Sequence, residues 1–228
     1  MDAQENEPIA GERHGPAPVF RSRWNRYNRP GLIVTFGPYL GTSQSLEAAG
    51  ALRYARTLRE TGTTYQVETE MVPEPDEEAR KRAVHWTRWV NALNGGKKWP
   101  VSRLTERLDR QVSPDVAVVI VPSHDPFLTD PPLRQLAREL AAVSNRTDAT
   151  GCLVRFRKIK RIAWGGASTA AIHRQSIRVE NADLIRDRPV LLLDDIARSG
   201  ASLRACEKLL YEAGAGLVQS VALGRVVG

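Results

Sequence analysis

The stretch Val190–Ser202 reads VLLLDDIARSGAS: four aliphatic residues lead into two adjacent aspartates and then into a loop of small residues. Adjacent carboxylates repel each other, and aspartate is unfavourable in strands. A strand that ends in this way predicts a use for negative charge or acceptor oxygens at its carboxyl end.

The residues after the aspartates form a candidate phosphate site. Arg198–Ser202 carries mostly small side chains, Gly200 can adopt a positive φ, and a helix is predicted to begin at Ser202. The N–H groups of a first helical turn lack backbone partners, and together with the helix dipole they bind anions. Asp194 and Asp195 supply acceptors just upstream. A ribose 5-phosphate, with a phosphate at one end and vicinal hydroxyls beside it, would satisfy both halves.

The composition favours phosphate-bearing partners. The chain has 228 residues, a net charge of +7 and a pI near 9.8. This charge does not separate nucleic acid from small phosphorylated substrates. Basic residues cluster in Arg21–Pro30, which we interpret as a solvated tail, and in Val154–Arg161, which could equally be a polar surface or part of a binding site.

The compartment is predicted from what the sequence lacks. No apolar run is long enough to cross a bilayer, and the N-terminus has no apolar core of a secretory signal. Cys152 and Cys206 are the only cysteines and form no CxxC pair, which excludes a zinc ribbon and a disulfide framework. We therefore expect a cytoplasmic protein with no membrane partner.

The hydrophobic pattern predicts an α/β fold with a largely parallel sheet flanked by helices. Residues 1–30 are predicted to be a mobile tail, 31–110 an accessory region, and 111–228 the core. The continuous apolar runs are typical of strands buried on both faces. Strands are predicted at Gly31–Phe36, Tyr65–Val72, Val116–Val121, Gly151–Phe156, Ser176–Val179, Val190–Leu193 and Leu217–Val227, and helices at Ser45–Arg59, Glu77–Leu93, Leu133–Val143 and Ser202–Ala213.

Ligands of such sheets bind beyond the carboxyl ends of the strands. Two loops qualify here, Asp194–Ser202 and Pro122–Asp130. The simpler alternative for the first is a strand-turn-helix in which an aspartate only caps the turn. A nucleotide-binding P-loop is excluded because the sequence has no GK[ST] motif.

The stretch Val190–Ser202 resembles the phosphoribosyl pyrophosphate (PRPP) signature of type I phosphoribosyltransferases. In both, an apolar strand is followed by Asp-Asp, an apolar residue and two variable positions; the stretch then ends in Ser-Gly-x-Ser. Within that family the chain is most similar to the ComF-like group, through Val121-Pro122, Leu153-Val154-Arg155 and the arginine-containing His173–Arg178. The likeness covers about residues 115–228. The zinc ribbon usual in that group is absent, and SHDPFLTDPP replaces the arginine-rich stretch that usually follows Val-Pro.

The resemblance implies a type I phosphoribosyltransferase-like fold, with residues 31–110 as a hood, and a Mg²⁺-dependent transferase. Asp194 and Asp195 would be catalytic, holding the ribose hydroxyls and orienting a Mg²⁺ bound mainly through ligand and water oxygens. The residues implied for the 5-phosphate are Ala197, Arg198, Ser199, Gly200, Ala201 and Ser202; for pyrophosphate, Pro122, Ser123 and His124; and for a flexible loop, Lys160, Arg161 and Arg174.

Other interpretations stay open at this point. The same fold could serve a non-catalytic PRPP- or nucleotide-sensing protein, or a competence- or defence-like protein that binds nucleic acid through its basic stretches. His124 could act as a base or merely cap its loop. Trp86 and Trp89 are predicted to be core residues. The partners expected are PRPP or another phosphoribosyl compound, with nucleic acid and a second copy of the chain as open alternatives.

Overall fold

The computed structural model describes residues 17–40, 54–61, 64–70, 77–128, 130–159 and 169–227. None of the helices in these ranges is both long and apolar enough to span a membrane. The strands are β1 (Ile33–Leu40), β2 (Tyr54–Thr61), β3 (Thr64–Glu70), β4 (Ala117–Ile120), β5 (Thr147–Asp148), β6 (Leu153–Arg155), β7 (Ile177–Val179), β8 (Pro189–Ala197) and β9 (Leu217–Val227). The helices are α1 (Glu77–Asn94), α2 (Trp99–Asp109), α3 (Pro132–Val143), α4 (Ala170–Arg174) and α5 (Ala201–Glu212).

A five-stranded sheet forms the centre, in the order β1-β9-β8-β4-β5, and all its pairings are parallel. This confirms the predicted α/β fold with a parallel sheet flanked by helices. The strands β2 and β3 form a separate antiparallel hairpin, and β6 and β7 form an antiparallel ribbon.

Two apolar layers cover the sheet because its strand residues alternate between faces. Leu191, Leu193 and Ile120 pack with α1, α2 and α3 on one face. Leu192 and Val119 pack with α5 on the other. The neighbouring strands β4 and β8 are therefore followed by helices on opposite faces. That reversal is the topological switch point at which open α/β sheets form a crevice for ligands.

The sheet is irregular one step before this crevice. On each side of β9 the backbone pairing is interrupted at the level of Leu223, opposite Phe36 in β1 and Asp195 in β8, while the register on either side of the gap is unchanged. Leu193 and Ile196 both pack in the α1–α3 layer, so the alternation of faces is broken between them. Asp194 and Asp195 are adjacent strand residues, so they face different layers.

Several predicted elements differ from the structure. The helix predicted at Ser45–Arg59 is wrong over its described part, because Tyr54–Thr61 is strand β2, whose backbone pairs with β3; residues 45–53 lie outside the described residues. Tyr and Thr in this segment favour strand over the weak helical spacing of its apolar residues. The strands predicted at Gly151–Phe156 and Ser176–Val179 are shorter, and they pair with each other outside the central sheet. The helices α2 and α4 and the short β5 were not predicted.

Residues 17–30, predicted as part of a mobile tail, are packed on the core instead. Val19 and Phe20 are fully buried, and a 3-10 helix follows at Ser22–Tyr27. The Ser113 N–H donates to the Val19 carbonyl at 2.9 Å. Two large apolar side chains inside the core explain this docking. Residues 1–16 lie outside the described part of the chain.

The predicted accessory region is continuous with the core. Its strand β1 is an edge strand of the central sheet, and its helices α1 and α2 share one apolar cluster with α3. Trp86 belongs to this cluster and Trp89 packs against it partly buried. Residues 31–110 therefore contribute one wall of the crevice.

Candidate functional site

The candidate site is the crevice at the carboxyl ends of β4 and β8. The Val121 N–H donates to the Leu193 carbonyl at 2.8 Å, which holds the two strand ends together just before their loops diverge. Asp194 and Asp195 lie in the last part of β8, a short loop leads from there into α5, and the loop after β4 carries Pro122–Leu128. We call the segment Ala197–Ser202 the cradle.

Asp194 is buried on the α5 side of the sheet, with only 8% of its surface exposed. Its Oδ2 accepts a hydrogen bond from the Ser202 hydroxyl at 3.1 Å, and its Oδ1 accepts one from the Asp195 N–H at 3.0 Å. Burial, and secondly the charge of Asp195, raise the pKa of Asp194 well above its ordinary value. Asp194 takes part in no ion pair among the described residues. A buried carboxyl with a perturbed pKa in a crevice is typical of functional sites.

Asp195 is turned towards α1 instead. Its Oδ2 accepts from Asn94 Nδ2 at 2.8 Å, and its Oδ1 accepts from the Ile196 N–H at 2.7 Å. Close by, Tyr39 donates its hydroxyl to Asn91 Oδ1 at 2.8 Å, and burial followed by the charge of Asp195 raises the tyrosine's pKa. This polar wall was missed from the sequence. The signal available was two asparagines three residues apart, hence on one helix face, at the end of a helix.

The cradle has the geometry of an anion site. Gly200 is the N-cap of α5 with φ +73°, and as a glycine it supplies no side-chain cap. The Ser202 hydroxyl is already committed to Asp194, while Ser199 Oγ accepts from the Ala201 N–H at 3.4 Å. The first turn of α5 therefore presents the helix dipole and backbone donors to the crevice. Ser202 links this turn directly to the buried carboxyl.

The loop after β4 is held from behind by Arg155, which is only 4% exposed. Its guanidinium donates to the Ser123 carbonyl, to the Pro122 carbonyl at 3.4 Å and to Ser176 Oγ at 2.6 Å. It also contacts His173 Nδ1 at 3.3 Å. Burial and the charge of Arg155 lower the pKa of His173 to about 4, so this imidazole is neutral at neutral pH.

Further contacts fix the tip of this loop. Lys158 Nζ pairs with Asp125 Oδ2 at 2.6 Å, and the Ile159 N–H donates to the His124 carbonyl at 3.1 Å. Ser123 Oγ lies 3.4 Å from His124 Nδ1. A cleft of about 150 Å³ opens beside the loop and includes Arg134 in its lining; none of its lining residues belongs to Asp194–Ser202.

The structure places most of the predicted site residues at the carboxyl ends of two neighbouring strands. Asp194, Asp195 and the cradle lie at one of these ends, and Pro122, Ser123 and His124 follow the neighbouring strand. Arg174 does not join them. It pairs at 3.0 Å with Glu212, the last residue of α5, roughly 16 Å along the helix from its first turn. Lys160 and Arg161 lie outside the described residues.

The basic stretch Val154–Arg161 does not form a continuous cationic face in its described part. Arg155 is buried under the loop, and Lys158 is paired with Asp125. Phe156 is 45% exposed, with the Arg178 guanidinium 5.8 Å from its ring centroid. These contacts commit Arg155 and Lys158 to local structure; Arg157 is exposed, and Lys160 and Arg161 lie outside the described residues.

Two carboxylates at a crevice suit Mg²⁺, which binds through one or two protein carboxylates and takes its other oxygens from ligand and water. Among the described residues no three or more His, Cys, Asp or Glu side chains cluster as a metal cage. The residues present therefore fit a metal ion that arrives with a phosphorylated ligand.

Comparison of the sequence with protein-family models and with curated proteins finds no match.

Proposed function

We propose that the chain is a Mg²⁺-dependent phosphoribosyltransferase. It would bind PRPP or another ribose 5-phosphate compound in the crevice and transfer the phosphoribosyl group to or from a nitrogenous acceptor. One observation carries the proposal: Asp194, a buried carboxyl without an ion-pair partner among the described residues, is hydrogen-bonded through Ser202 to the first turn of a helix whose N-cap is a glycine. Sugar hydroxyls and a phosphate are the groups that complete such a pair of sites.

Different residues of the crevice would bind different parts of the ligand. Backbone donors of the cradle would hold the 5-phosphate, and Asp194 and Asp195 would accept hydrogen bonds from the ribose hydroxyls. The two aspartates would reach the ribose from opposite layers, because adjacent strand residues point to opposite faces: Asp195 contacts Asn94, and Asp194 contacts Ser202. The sugar would then be fixed in one orientation, which is what transfer at a single carbon requires.

The chemical step breaks the bond between C1 of the ribose and the pyrophosphate oxygen, and the electron pair leaves with pyrophosphate. The acceptor nitrogen forms the new bond to C1 with its lone pair. Positive charge develops on the ribose during this exchange. Two fixed carboxyl groups beside the ribose stabilise that charge more than they stabilise the neutral sugar, which lowers the barrier.

Magnesium, when bound near Asp194 and Asp195, would neutralise charge on the leaving pyrophosphate. Pro122, Ser123 and His124 are the residues that we propose to receive this leaving group, and Lys160 and Arg161 remain predicted contributors. Both cysteines are buried free thiols, and burial raises the pKa of Cys152 to about 11. Unreactive thiols of this kind suit the reducing cytoplasm that we expect as its location.

A second candidate is a PRPP- or nucleotide-sensing protein that binds the ligand without turning it over. The observation that favours it is the loop after β4. Two of its backbone carbonyls accept hydrogen bonds from Arg155. At its tip Phe127 exposes 87% of its surface, whereas pyrophosphate binding would require hydrogen-bond donors there.

The two candidates separate in one assay. The protein is incubated with PRPP, Mg²⁺ and a panel of purine, pyrimidine and other nitrogenous bases, and pyrophosphate release is followed. The transferase predicts release that depends on one class of base. Binding of PRPP without release for any acceptor would favour the sensor, and no binding of any phosphoribosyl ligand would contradict both.

A further inference from the structure

Arg225 lies at the carboxyl end of β9, next to the cradle. In the sheet register it is the neighbour of Ala197 in β8 and of Pro38 in β1. Register neighbours in a parallel sheet point to the same face. Ala197 belongs to the apolar layer under α5, and Val226 packs in the opposite layer. The Arg225 side chain therefore lies on the α5 face, where the cradle begins.

The guanidinium of Arg225 has no complementary charge in the described residues. It is partly buried and makes no hydrogen bond or ion pair there. Burial, and secondly the charge of Arg204, lower its pKa. A cation withdrawn from water beside another cation is unfavourable unless an anion occupies the space between or next to them.

Arg204 approaches the same place from the helix. It lies in the first turn of α5, and its N–H donates to the Gly200 carbonyl at 3.0 Å. Its Nε is 4.0 Å from the position that a Cβ on Gly200 would occupy. Arg204 also has an acidic neighbour, since its charge lowers the pKa of Glu207 against the larger effect of burial. Arg225 has no such neighbour, so it is the cation with unused capacity.

We propose that Arg225, assisted by Arg204, binds the phosphate monoester of the ligand and makes the cradle selective for a dianionic phosphate over an unphosphorylated sugar. The proposal rests on the proposed function only in placing a 5-phosphate at the first turn of α5. Guanidinium matches phosphate with two parallel hydrogen bonds, and a bond to a charged partner is about twice as strong as a neutral one. Backbone donors give the cradle its shape, and Arg225 adds the charge recognition.

The test is calorimetric titration of the full chain with ribose 5-phosphate, PRPP, inorganic phosphate and ribose. The variants are Arg225→Met and Arg225→Lys, with Arg186→Met as the matched control. Arg186 is exposed in the turn before β8, at the amino-terminal end of that strand and therefore away from the cradle. Its loss changes the net charge by the same amount. We expect Arg225→Met to weaken ribose 5-phosphate about ten- to hundredfold, Arg225→Lys to weaken it less, and Arg186→Met to leave it unchanged.

Two further readouts exclude a purely structural role. The melting temperature of Arg225→Met should be unchanged or higher, because an unpaired and partly buried cation is removed. The losses for ribose 5-phosphate and inorganic phosphate should be proportional, which identifies the phosphate as the group recognised.

The proposal is overturned if the wild type binds ribose 5-phosphate and both Arg225 variants bind it as tightly. It is also overturned if only PRPP is weakened while ribose 5-phosphate and inorganic phosphate are not, because Arg225 would then contact another part of the ligand. Failure of the wild type to bind any phosphoribosyl ligand would instead overturn the proposed function, and this proposal with it.

Discussion

The two loops that flank the crevice use their polar groups in different ways. At the carboxyl end of β8, Asp194 is buried without an ion pair among the described residues, and Gly200, the N-cap of the helix that follows, supplies no side-chain cap. After β4, the carbonyls of Pro122 and Ser123 accept from Arg155, and Asp125 is paired with Lys158. The first loop retains binding capacity for a ligand, whereas the protein itself satisfies much of the second.

The comparison assigns ligand affinity to the loop after β8 and positioning to the loop after β4. The first loop shows features that folding alone would disfavour: a carboxyl group in a desolvated place and a glycine as the helix N-cap. Proteins keep such features where function uses them. Damage to the two loops should therefore have separable consequences.

The largest effect is expected from Asp194→Asn. The amide keeps hydrogen-bonding capacity but loses the charge that stabilises the developing cation, so turnover should fall by about a hundredfold or more. The free energy of unfolding should be unchanged or higher, because a buried charge next to Asp195 is removed. Pyrophosphate release and urea unfolding measure the two properties. Asp183→Asn, at an exposed position, is the control, and full turnover in Asp194→Asn would refute the catalytic role.

Arg155→Lys should damage the loop after β4 without impairing ligand binding by the cradle. Lysine keeps the charge but cannot reach Pro122, Ser123 and Ser176 at once, so we expect a loss of about 1–3 kcal/mol in the free energy of unfolding. Ribose 5-phosphate should still bind, because the cradle is built on α5. Urea unfolding and titration of the ligand test both halves.

The same substitution at an exposed arginine, Arg178→Lys, should change the stability by less than about 0.5 kcal/mol. Equal stability of Arg155→Lys and the wild type would show that the hydrogen bonds of the buried Arg155 guanidinium do not hold the loop after β4.

How far the sequence predicts this site is clear from individual residues. The strand β8, the helix α5 and the small-residue loop between them follow from a local pattern, and the structure has all three. The contact of Asn94 with Asp195 joins residues 101 positions apart, and it depends on how α1 packs against the sheet, which no local pattern encodes. Long-range contacts of this kind arise from packing.

Arg155 shows the same limit at one residue. The alternation in Val154–Arg161 indicates two faces but not which one the ribbon buries, and the structure buries the arginine and exposes Phe156. Val19 and Phe20 were likewise assigned to a tail, because two apolar residues among polar ones give no periodic signal. Their burial depends on pairing with the segment after α2, where Phe20 forms a bridge with Val112 and the Ser113 N–H donates to the Val19 carbonyl.

A pH dependence of the stability is expected at His173, which is 3% exposed. Its pKa of about 4 in the fold lies below the ordinary value of about 6.5, so the unfolded chain binds the proton more readily. The stability from the neutral imidazole is present above pH 6.5 and is lost as the pH falls towards 4. Between pH 7 and pH 4.5 we expect the free energy of unfolding of the wild type to fall by about 1–3 kcal/mol more than that of His173→Gln.

Urea unfolding at several pH values measures this difference, and His85→Gln, at an exposed position, should behave as the wild type does. Parallel pH profiles for His173→Gln and the wild type would contradict the assignment of a neutral histidine beside Arg155.

The central claim is that the cradle binds a ribose 5-phosphate compound, and a pair of glycine variants tests it most directly. Gly200 and Gly214 both have positive φ at the two ends of α5, and a Cβ on Gly200 would lie 2.5 Å from Ile33 Cδ1. Valine at either site strains the backbone by about 1–2 kcal/mol, but only Gly200→Val reshapes the cradle. The measurement is calorimetric titration of PRPP with Mg²⁺ into the wild type, Gly200→Val and Gly214→Val. We predict saturable binding to the wild type and Gly214→Val and none to Gly200→Val; equal binding to all three, or no binding to the wild type, would contradict the account.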